Sequence, residues 1–285
     1  MALLRTSEGR RLFYETRGSG QPLVCIPGGP GISSRLLGDL GGLGRECQLV
    51  LVDPRGSGRS DPPPRDDLYR LADFAADLEL LRDHLGLRRI ALLGHSAGAS
   101  IALAYAAEHP ECVERLVLVG AAARFADDHE AVAAAMRAAR SGEPWYRDAV
   151  AVDGLIARAG RSMTNSQLGE LLARGAGFCF ARYGPRQAAD AALLRDGVNV
   201  AAWLAGAEDE DLRPLLPQII APTLVVAGEA DCLVAPVASQ ELGGTPARPH
   251  RRTRRRGTLP VGRPARSIQI GGQRIPSCCA RSLIR

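Results

Sequence analysis

The run Gly-His-Ser-Ala-Gly at residues 94–98 restricts the possible folds of this chain more than any other feature. It stands between an apolar run, "RRIALL" (88–93), and a segment of small residues, "AGASIALAYAAEHP" (97–110). The first pattern predicts a buried strand, and the second predicts a helix that ends at Pro110. A serine on such a tight strand-to-helix turn is held in a strained backbone conformation, and flanking glycines let the strand and helix approach. The pattern therefore predicts that Ser96 is a nucleophile; the alternative is a small-residue turn that only packs a helix on a strand.

Short apolar runs alternate with helical patterns through the first 120 residues, which is typical of a sheet with crossover helices. The runs are unbroken, as expected of parallel strands that are buried on both faces. We therefore predict an α/β fold with a mostly parallel sheet and helices on both faces. The predicted strands cover 12–15 (as an edge strand), 22–29, 47–56, 88–96, 115–120 and 223–231, and the predicted helices cover 71–86 and 97–110.

A long alanine-rich segment separates the last two predicted strands. Its pattern is helical from Ala121 to about residue 216, and strand character returns only at "TLVVAGEAD". A helical insertion between two strands of a sheet predicts a cap over the site; the alternative is that these helices lie at the periphery. The predicted organisation is a first part of the core at 1–120, a helical cap at 121–216, the rest of the core at 217–242 and an Arg-rich tail at 243–285.

The composition argues against a membrane span, a metal site and a disulfide framework. No stretch approaches the roughly 18 uncharged apolar residues that a membrane helix needs. The first residues meet Arg5 and Glu8 before an apolar signal region could form, so we expect a cytoplasmic protein. The seven cysteines show no framework spacing and no C-x-x-C pair. We expect neither a metal nor a cofactor.

Four motifs occur in order along the chain: "GGPG" (28–31), "DPRGSGRSDPP" (53–63), "GHSAG" (94–98) and "APTLVVAGEADCLVAP" (221–236). Together with the inserted helical segment, they resemble the proline iminopeptidase-like branch of the α/β-hydrolases over about residues 1–242. Two positions depart from that branch: it usually has histidine at Pro27, and its elbow often carries tryptophan at Ala97. The resemblance implies a serine hydrolase that attacks an ester or amide bond of a small molecule or short peptide. Aminopeptidase activity is favoured, and a carboxylesterase or another small-molecule hydrolase is the alternative.

The same resemblance implies roles for further residues. The loop "IPGGPG" (26–31) follows a strand at the place where the family supplies an oxyanion donor, and glycines let a backbone N–H reach the developing charge. We assign the N–H groups of Gly29 and Ala97 to the oxyanion hole; the alternative is a simple Gly/Pro turn. Asp231 is implied as the triad acid, because it follows a buried strand in a G-x-x-D turn. Its alternative role is to cap the helix that follows.

An aminopeptidase also needs carboxylates that bind the ammonium group of its substrate. The predicted cap offers several acidic residues, and the sequence selects none of them. They are Glu143, Glu170 and the acids from Glu208 to Asp211.

The triad base is the component that the sequence does not supply clearly. In this fold the histidine follows the acid, so we expect it near residues 256–261, where the chain reads "RGTLPV". His250 is the only histidine after Asp231, and it is a weak candidate because no strand or glycine turn positions it. We expect His95 to have no direct chemical role, because it precedes Ser96 at the strand end. His84, His109 and His129 are interpreted as structural or solvated.

The tail, residues 243–285, differs in composition from the rest of the chain. It contains 11 arginines and no acidic residue, whereas residues 1–242 contain 25 arginines and 31 acidic residues. With no helical or strand periodicity expected here, we interpret it as disordered or as out-of-frame translation that begins near residue 242. A frameshift would leave a catalytically impaired homologue without its last strand, histidine loop and final helix. The alternative is a genuine basic tail that binds nucleic acid or anionic membrane by counterion release. It lacks interleaved aromatic residues, so we expect no nucleic-acid partner.

Overall fold

Seven strands form one sheet, in the order β1-β2-β4-β3-β5-β6-β7. The computed structural model describes residues 2–6, 8–122, 127–205, 211–244, 267–270 and 273–276, with side chains up to residue 243. Strands β3 to β7 pair in parallel, and β2 joins β4 in the antiparallel sense. The predicted α/β fold with a mostly parallel sheet is therefore confirmed. The strands are β1 (Ala2–Arg5), β2 (Arg11–Arg17), β3 (Pro22–Ile26), β4 (Gln48–Val52), β5 (Ile90–His95), β6 (Val113–Val119) and β7 (Thr223–Val226).

Both faces of the sheet are covered, because side chains alternate along each strand. Val24 and Ile26 of β3 point into one apolar cluster, which two long helices cover. Leu23 and Cys25 point into a second cluster on the opposite face, which short 3-10 helices cover. These helices are α1 (Leu71–His84) and α2 (Ala97–Glu108) on the first face, and the 3-10 helices Ser34–Leu37 and Leu43–Arg45 on the second.

The predicted edge position of residues 12–15 is wrong. Strand β2 is an inner strand, because β1 pairs with it antiparallel in a register that sets Leu3 opposite Phe13. The turn between them is closed by a hydrogen bond from the Gly9 N–H to the Thr6 carbonyl, 2.9 Å long. A four-residue strand carries too short an alternation to be read reliably from sequence.

The segment between β6 and β7 is helical and has its own apolar cluster. Ile32, which follows the glycine loop after β3, belongs to that cluster together with Leu168, Phe180 and Val198. The helical segment therefore packs directly on the chain that leaves β3. Its helices are α3 (Asp127–Ala138), α4 (Tyr146–Ala159), α5 (Asn165–Gly175), α6 (Pro185–Ala191) and α7 (Val200–Ala205).

Strand β7 is the last strand of the main sheet among the described residues. All four of its residues are half-buried, whereas most of β6 is buried. Helix α8 (Pro236–Gly244) follows it and packs on it. Within the described residues no helix is long and apolar enough to cross a membrane.

The tail contains two short strands. They were not predicted, because no strand periodicity was expected after Leu242. Strand β8 (Ser267–Ile270) pairs antiparallel with β9 (Gln273–Pro276) in a separate two-stranded sheet. The sequence carries a weak signal for this pairing, because isoleucines alternate with polar residues in "SIQI" (267–270) and Gly-Gly, a typical hairpin connection, follows. The expectation of no strand after Leu242 is therefore wrong for these eight residues.

A buried ion network attaches helix α1 to the loop that follows β4. The Asp77 carboxylate accepts hydrogen bonds from Arg55 Nε at 2.8 Å and from Arg10 Nη2 at 3.1 Å. Asp77 and Arg55 are almost fully buried. Arg55 Nη1 also donates to the Leu68 carbonyl at 2.8 Å. Asp77 is therefore the shared acceptor of two arginines from different parts of the chain.

Candidate active site

Ser96 has a backbone conformation that non-glycine residues rarely adopt. It lies between β5 and α2 with φ 52° and ψ −124°, and it is the residue immediately before the helix. Its N–H donates to the Val119 carbonyl at 2.9 Å, which ties the turn to the neighbouring strand β6. A positive φ costs a residue with a Cβ atom roughly 1–3 kcal/mol, so the surrounding structure must impose it.

The two glycines of the motif are required by close backbone contacts. A Cβ atom on Gly94 would lie 2.6 Å from Ala99 Cα, inside the first turn of α2. A Cβ atom on Gly98 would lie 2.5 Å from the Pro27 carbonyl oxygen. Real Cβ atoms do not approach so closely, so helix α2 can pack on β5 and on the end of β3 only with glycine at both positions.

The glycine loop after β3 lies against Ser96. A Cβ atom on Gly28 would be 3.0 Å from Ser96 Cβ and 3.3 Å from the His95 carbonyl oxygen. Gly29 follows with φ +132°, and Ala97 is the first residue of α2. The structure therefore brings the predicted nucleophile close to the segments that carry both predicted oxyanion donors. A helix N-terminus and a glycine loop present backbone N–H groups that can stabilise negative charge.

Asp231 lies on the same edge of the sheet as Ser96. Each residue follows the carboxyl end of a parallel strand, and only β6 separates those two strands. Asp231 Oδ1 accepts hydrogen bonds from the N–H groups of Leu233 at 3.0 Å and Val234 at 2.9 Å. Burial raises the pKa of this carboxyl, and the two hydrogen bonds oppose the rise. Because α8 begins only at Pro236, these bonds fix the turn that precedes the helix.

The described histidines other than His95 are engaged away from Ser96. His84 Nε2 is 3.2 Å from the Tyr14 hydroxyl, the ring of His109 lies 4.9 Å from that of Tyr105, and His129 Nε2 is 2.9 Å from Glu241 Oε2. In the described part of the chain, no histidine is hydrogen-bonded to the Ser96 hydroxyl. His250, the weak candidate base, lies outside the described residues.

His95 is held neutral beside the glycine loop. Its Nδ1 is buried without a hydrogen-bond partner among the described residues, and a Cβ atom on Gly28 would lie 3.1 Å from it. Burial lowers the pKa of His95 to about 4. At neutral pH the ring next to the nucleophile therefore carries no charge.

We expect His95 to titrate near pH 4 in the folded protein, as measured by NMR of the imidazole nitrogens and assigned by comparison with His95→Gln. The unfolded chain binds this proton more readily, so its contribution to stability is present above pH about 6.5 and is lost as the pH falls towards 4. The pH dependence of unfolding should accordingly flatten over this interval in His95→Gln. A titration midpoint near 6.5 would show that the ring is solvated.

The acidic residues proposed for ammonium binding are mostly engaged elsewhere or outside the described structure. Glu170 pairs with Arg195 at 2.9 Å on the surface, Asp211 pairs with Arg213 at 2.5 Å, and Glu143 is exposed. Residues 208–210 lie outside the described residues. Of these candidates, Glu170 and Asp211 thus already have arginine partners.

Asp153 on α4 is a carboxylate that the sequence analysis did not single out. The residue is exposed, but partial burial of its carboxyl raises its pKa, and the nearby Arg137 opposes the rise. Burial also raises the pKa of Cys179 to about 12, and the charges of Asp231 and Asp153 contribute to that rise. Cys179 therefore lies within electrostatic range of the candidate acid and of a carboxylate from the helical segment. One acid among several on an amphipathic helix gives no sequence signal that could have identified it.

Metal chemistry has no obvious donor set in this region. Among the residues that the structure describes, no group of three or more His, Cys, Asp or Glu side chains is arranged to hold a metal ion.

Comparison with known proteins agrees with the architecture of the site. A family model described as alpha/beta hydrolase fold matches residues 21–258. The chain is 39% identical over 124 residues to the proline iminopeptidase of Xylella fastidiosa (strain 9a5c), which covers 41% of this chain and 38% of that protein. The match thus spans about two fifths of the length of this curated relative.

Two solved structures share the architecture over most of the chain. A hydrolase from Pseudomonas aeruginosa PA01 matches with a TM-score of 0.63 and 26% identity, covering 85% of each chain. An esterase from Exiguobacterium antarcticum matches with a TM-score of 0.64 and 24% identity, covering 85% of this chain and 86% of the esterase.

Proposed function

Because the chain belongs to the α/β-hydrolase family, we propose that it is a serine hydrolase that cleaves an ester or amide bond through an acyl-enzyme at Ser96. One observation carries the proposal: a serine with φ 52° stands between a buried strand and a helix N-terminus, with a glycine loop against it. A structural turn has no need of a strained serine at this place, since glycine would adopt the same conformation without cost.

In the proposed reaction the Ser96 hydroxyl attacks the carbonyl carbon, and its proton passes to a base. The N–H groups of Gly29 and Ala97 stabilise the oxyanion, the leaving group departs as the acyl-enzyme forms, and water then hydrolyses the ester at Ser96. Asp231 would hold a neutral histidine in the tautomer that accepts this proton, and would stabilise the charged ring that results. His250 is the sole histidine after Asp231, so it is the proposed base.

We favour a proline iminopeptidase-like aminopeptidase that acts on a short peptide. The curated relatives support this activity over the part of the chain that they match. Residues 121–216 are proposed as the cap over the sheet edge, and Asp153 is proposed as the carboxylate that binds the substrate ammonium group. The charges of Asp153 and of the candidate acid Asp231 both act on Cys179, which supports a position for Asp153 near the candidate site.

A carboxylesterase is the second candidate, and two departures from the iminopeptidase-like pattern favour it. Pro27 and Ala97 stand where that branch usually has histidine and often has tryptophan. A small, uncharged substrate would also need no ammonium-binding carboxylate. The two candidates therefore differ in the role that they give to Asp153.

The kinetics of two substrates should distinguish these candidates. We expect proline p-nitroanilide to be cleaved faster than p-nitrophenyl butyrate, and Asp153→Asn to lower kcat/KM for the peptide substrate alone by about tenfold or more. Asp148→Asn is the matched control, because Asp148 is also an exposed carboxylate on this helix but lies 3.5 Å from Arg174, and it should change neither rate. Cleavage of the ester alone, unaffected by Asp153→Asn, would establish the esterase instead.

A catalytically impaired homologue is a further outcome, because the described residues contain no base for Ser96. Loss of one triad member leaves about 10³–10⁴-fold catalysis over water from the oxyanion hole and binding. Translation of the gene in its two other frames after codon 242 tests the frameshift hypothesis. If neither frame encodes a strand, a histidine loop and a helix, the frameshift is excluded.

A further inference from the structure

The carboxylate of Asp53 is buried at the end of β4 and is almost saturated with hydrogen bonds. Its Oδ1 accepts from Ser33 Oγ at 3.0 Å, from the Ser34 N–H at 2.7 Å and from Ser34 Oγ at 2.8 Å. Its Oδ2 accepts from the Arg59 N–H at 2.9 Å. Only 1% of Asp53 is exposed. A charge placed there is tolerated because donors converge on both oxygens.

The three bonds to Oδ1 fix the chain that leaves the glycine loop. Ser33 and Ser34 follow Gly31 with only Ile32 between them, and Ile32 is buried in the helical cluster. Asp53 therefore holds one end of the loop that lies against Ser96, while β3 holds the other end. A shift of the serines would move the backbone N–H groups of the loop.

The helical segment contacts the same loop from the opposite side. The Asn199 N–H donates to the Gly31 carbonyl at 2.9 Å, and a Cβ atom on Gly31 would lie 2.7 Å from the Asn199 carbonyl oxygen. The Gly58 N–H donates to the Gly197 carbonyl at 2.9 Å, which joins the loop after β4 to the same stretch. The glycine loop is thus held between the buried carboxylate and the residues that precede α7.

We propose that Asp53 is a positioning residue, which holds the 28–31 loop in register over Ser96 by acting through Ser33 and Ser34. The inference rests on the proposed function and adds the group that sets the geometry of the oxyanion hole. Donors must lie about 2.7–3.1 Å from the developing oxyanion, and a displacement of about 1 Å can cost a hundredfold in rate. Asp53 touches no reacting atom, so its effect must reach the reaction through the loop.

The test combines a local structural measurement with a kinetic one on Asp53→Asn. We expect hydrogen exchange of the peptide covering residues 27–36 to accelerate by about tenfold or more, with exchange in α1 unchanged. Labelling by a fluorophosphonate, whose P=O oxygen occupies the oxyanion hole, should show a maximal rate about tenfold or more lower with unchanged half-saturation. Asp61→Asn is the matched control, because Asp61 lies in the same loop but binds the partly exposed Arg11, and it should alter neither measurement.

The two arms separate the inference from the function on which it rests. If the wild type is not labelled, the proposed hydrolase fails, and the exchange measurement still decides whether Asp53 holds the loop. Wild-type exchange at 27–36 in Asp53→Asn would overturn the inference. If Asp53→Asn does not fold, Ser34→Ala removes one of the three bonds to Oδ1 and should accelerate exchange of 27–36 in the same direction. Unchanged exchange in Ser34→Ala would then overturn it.

Discussion

Replacing Ser96 with alanine should abolish covalent labelling of the protein by a fluorophosphonate, a loss of at least about a thousandfold in the labelling rate. The probe phosphorylates only an activated hydroxyl, and Ser96 is the serine that the turn presents beside the glycine loop. The measurement is mass spectrometry of the intact protein over time, followed by location of the modified peptide. Circular dichroism should show the same fold for the variant.

Ser100→Ala provides the matched control, because Ser100 lies one turn further along α2. Ser100 should be labelled neither in the wild type nor in Ser96→Ala, so Ser100→Ala should be labelled like the wild type. Labelling that persists in Ser96→Ala would show that another residue is the nucleophile. If the wild type is not labelled either, the chain lacks an effective base, and the impaired homologue becomes the correct description.

Asp77→Ala should destabilise the protein by about 3–5 kcal/mol, the largest stability effect that we expect from a single substitution. The change leaves Arg55 buried with carbonyl acceptors and with the Asp73 carboxylate 3.9 Å from its Nη1, but without an acceptor at its Nε, and it leaves Arg10 without its buried partner. Removing one side of a buried pair costs more than the pair contributes, because the remaining charge has lost its water as well as its partner. Urea unfolding followed by circular dichroism measures the difference.

Asp83→Ala on the same helix is the control, since its carboxylate is largely exposed and its contact with Arg82 is 3.8 Å long. We expect a change within about 0.5 kcal/mol for that variant. Equal stability of Asp77→Ala and wild type would mean that solvent reaches the network. The loss of unfolding free energy expected from substitution of Arg55 would then be smaller as well.

The sheet and the serine turn could be predicted because their signals are local. Each parallel strand is an unbroken apolar run in the sequence. The glycines on either side of Ser96 are required by close backbone contacts between β5, α2 and the end of β3, and β5 and α2 adjoin Ser96 in the sequence. The family resemblance added Asp231, whose position after β7 the structure shows at the same sheet edge. Its role as the acid stays a prediction, as do those of Gly29 and Ala97.

The features that escaped prediction depend on contacts between distant parts of the chain. The sequence near Asp53 does not indicate that Ser33 and Ser34 donate hydrogen bonds to its carboxylate. The burial of His95 Nδ1 depends on the position of the glycine loop, which also cannot be read from the sequence around His95. Strand β1 is too short to be predicted from its sequence pattern, and it is stabilised by antiparallel pairing with β2. The base stays a proposal for a different reason, since His250 lies outside the described residues and the sequence around it carries no strand pattern.

The positive φ of Ser96 lowers the stability of the folded state at the residue whose hydroxyl the proposed reaction uses. Glycine would adopt the same φ and ψ without steric cost, so the folded state carries a penalty of roughly 1–3 kcal/mol for the sake of one hydroxyl. Selection for stability of the folded state alone would favour glycine at position 96. If Ser96 is the nucleophile, as we propose, its hydroxyl accounts for this cost, and Ser96→Gly should gain thermal stability while it loses the reaction.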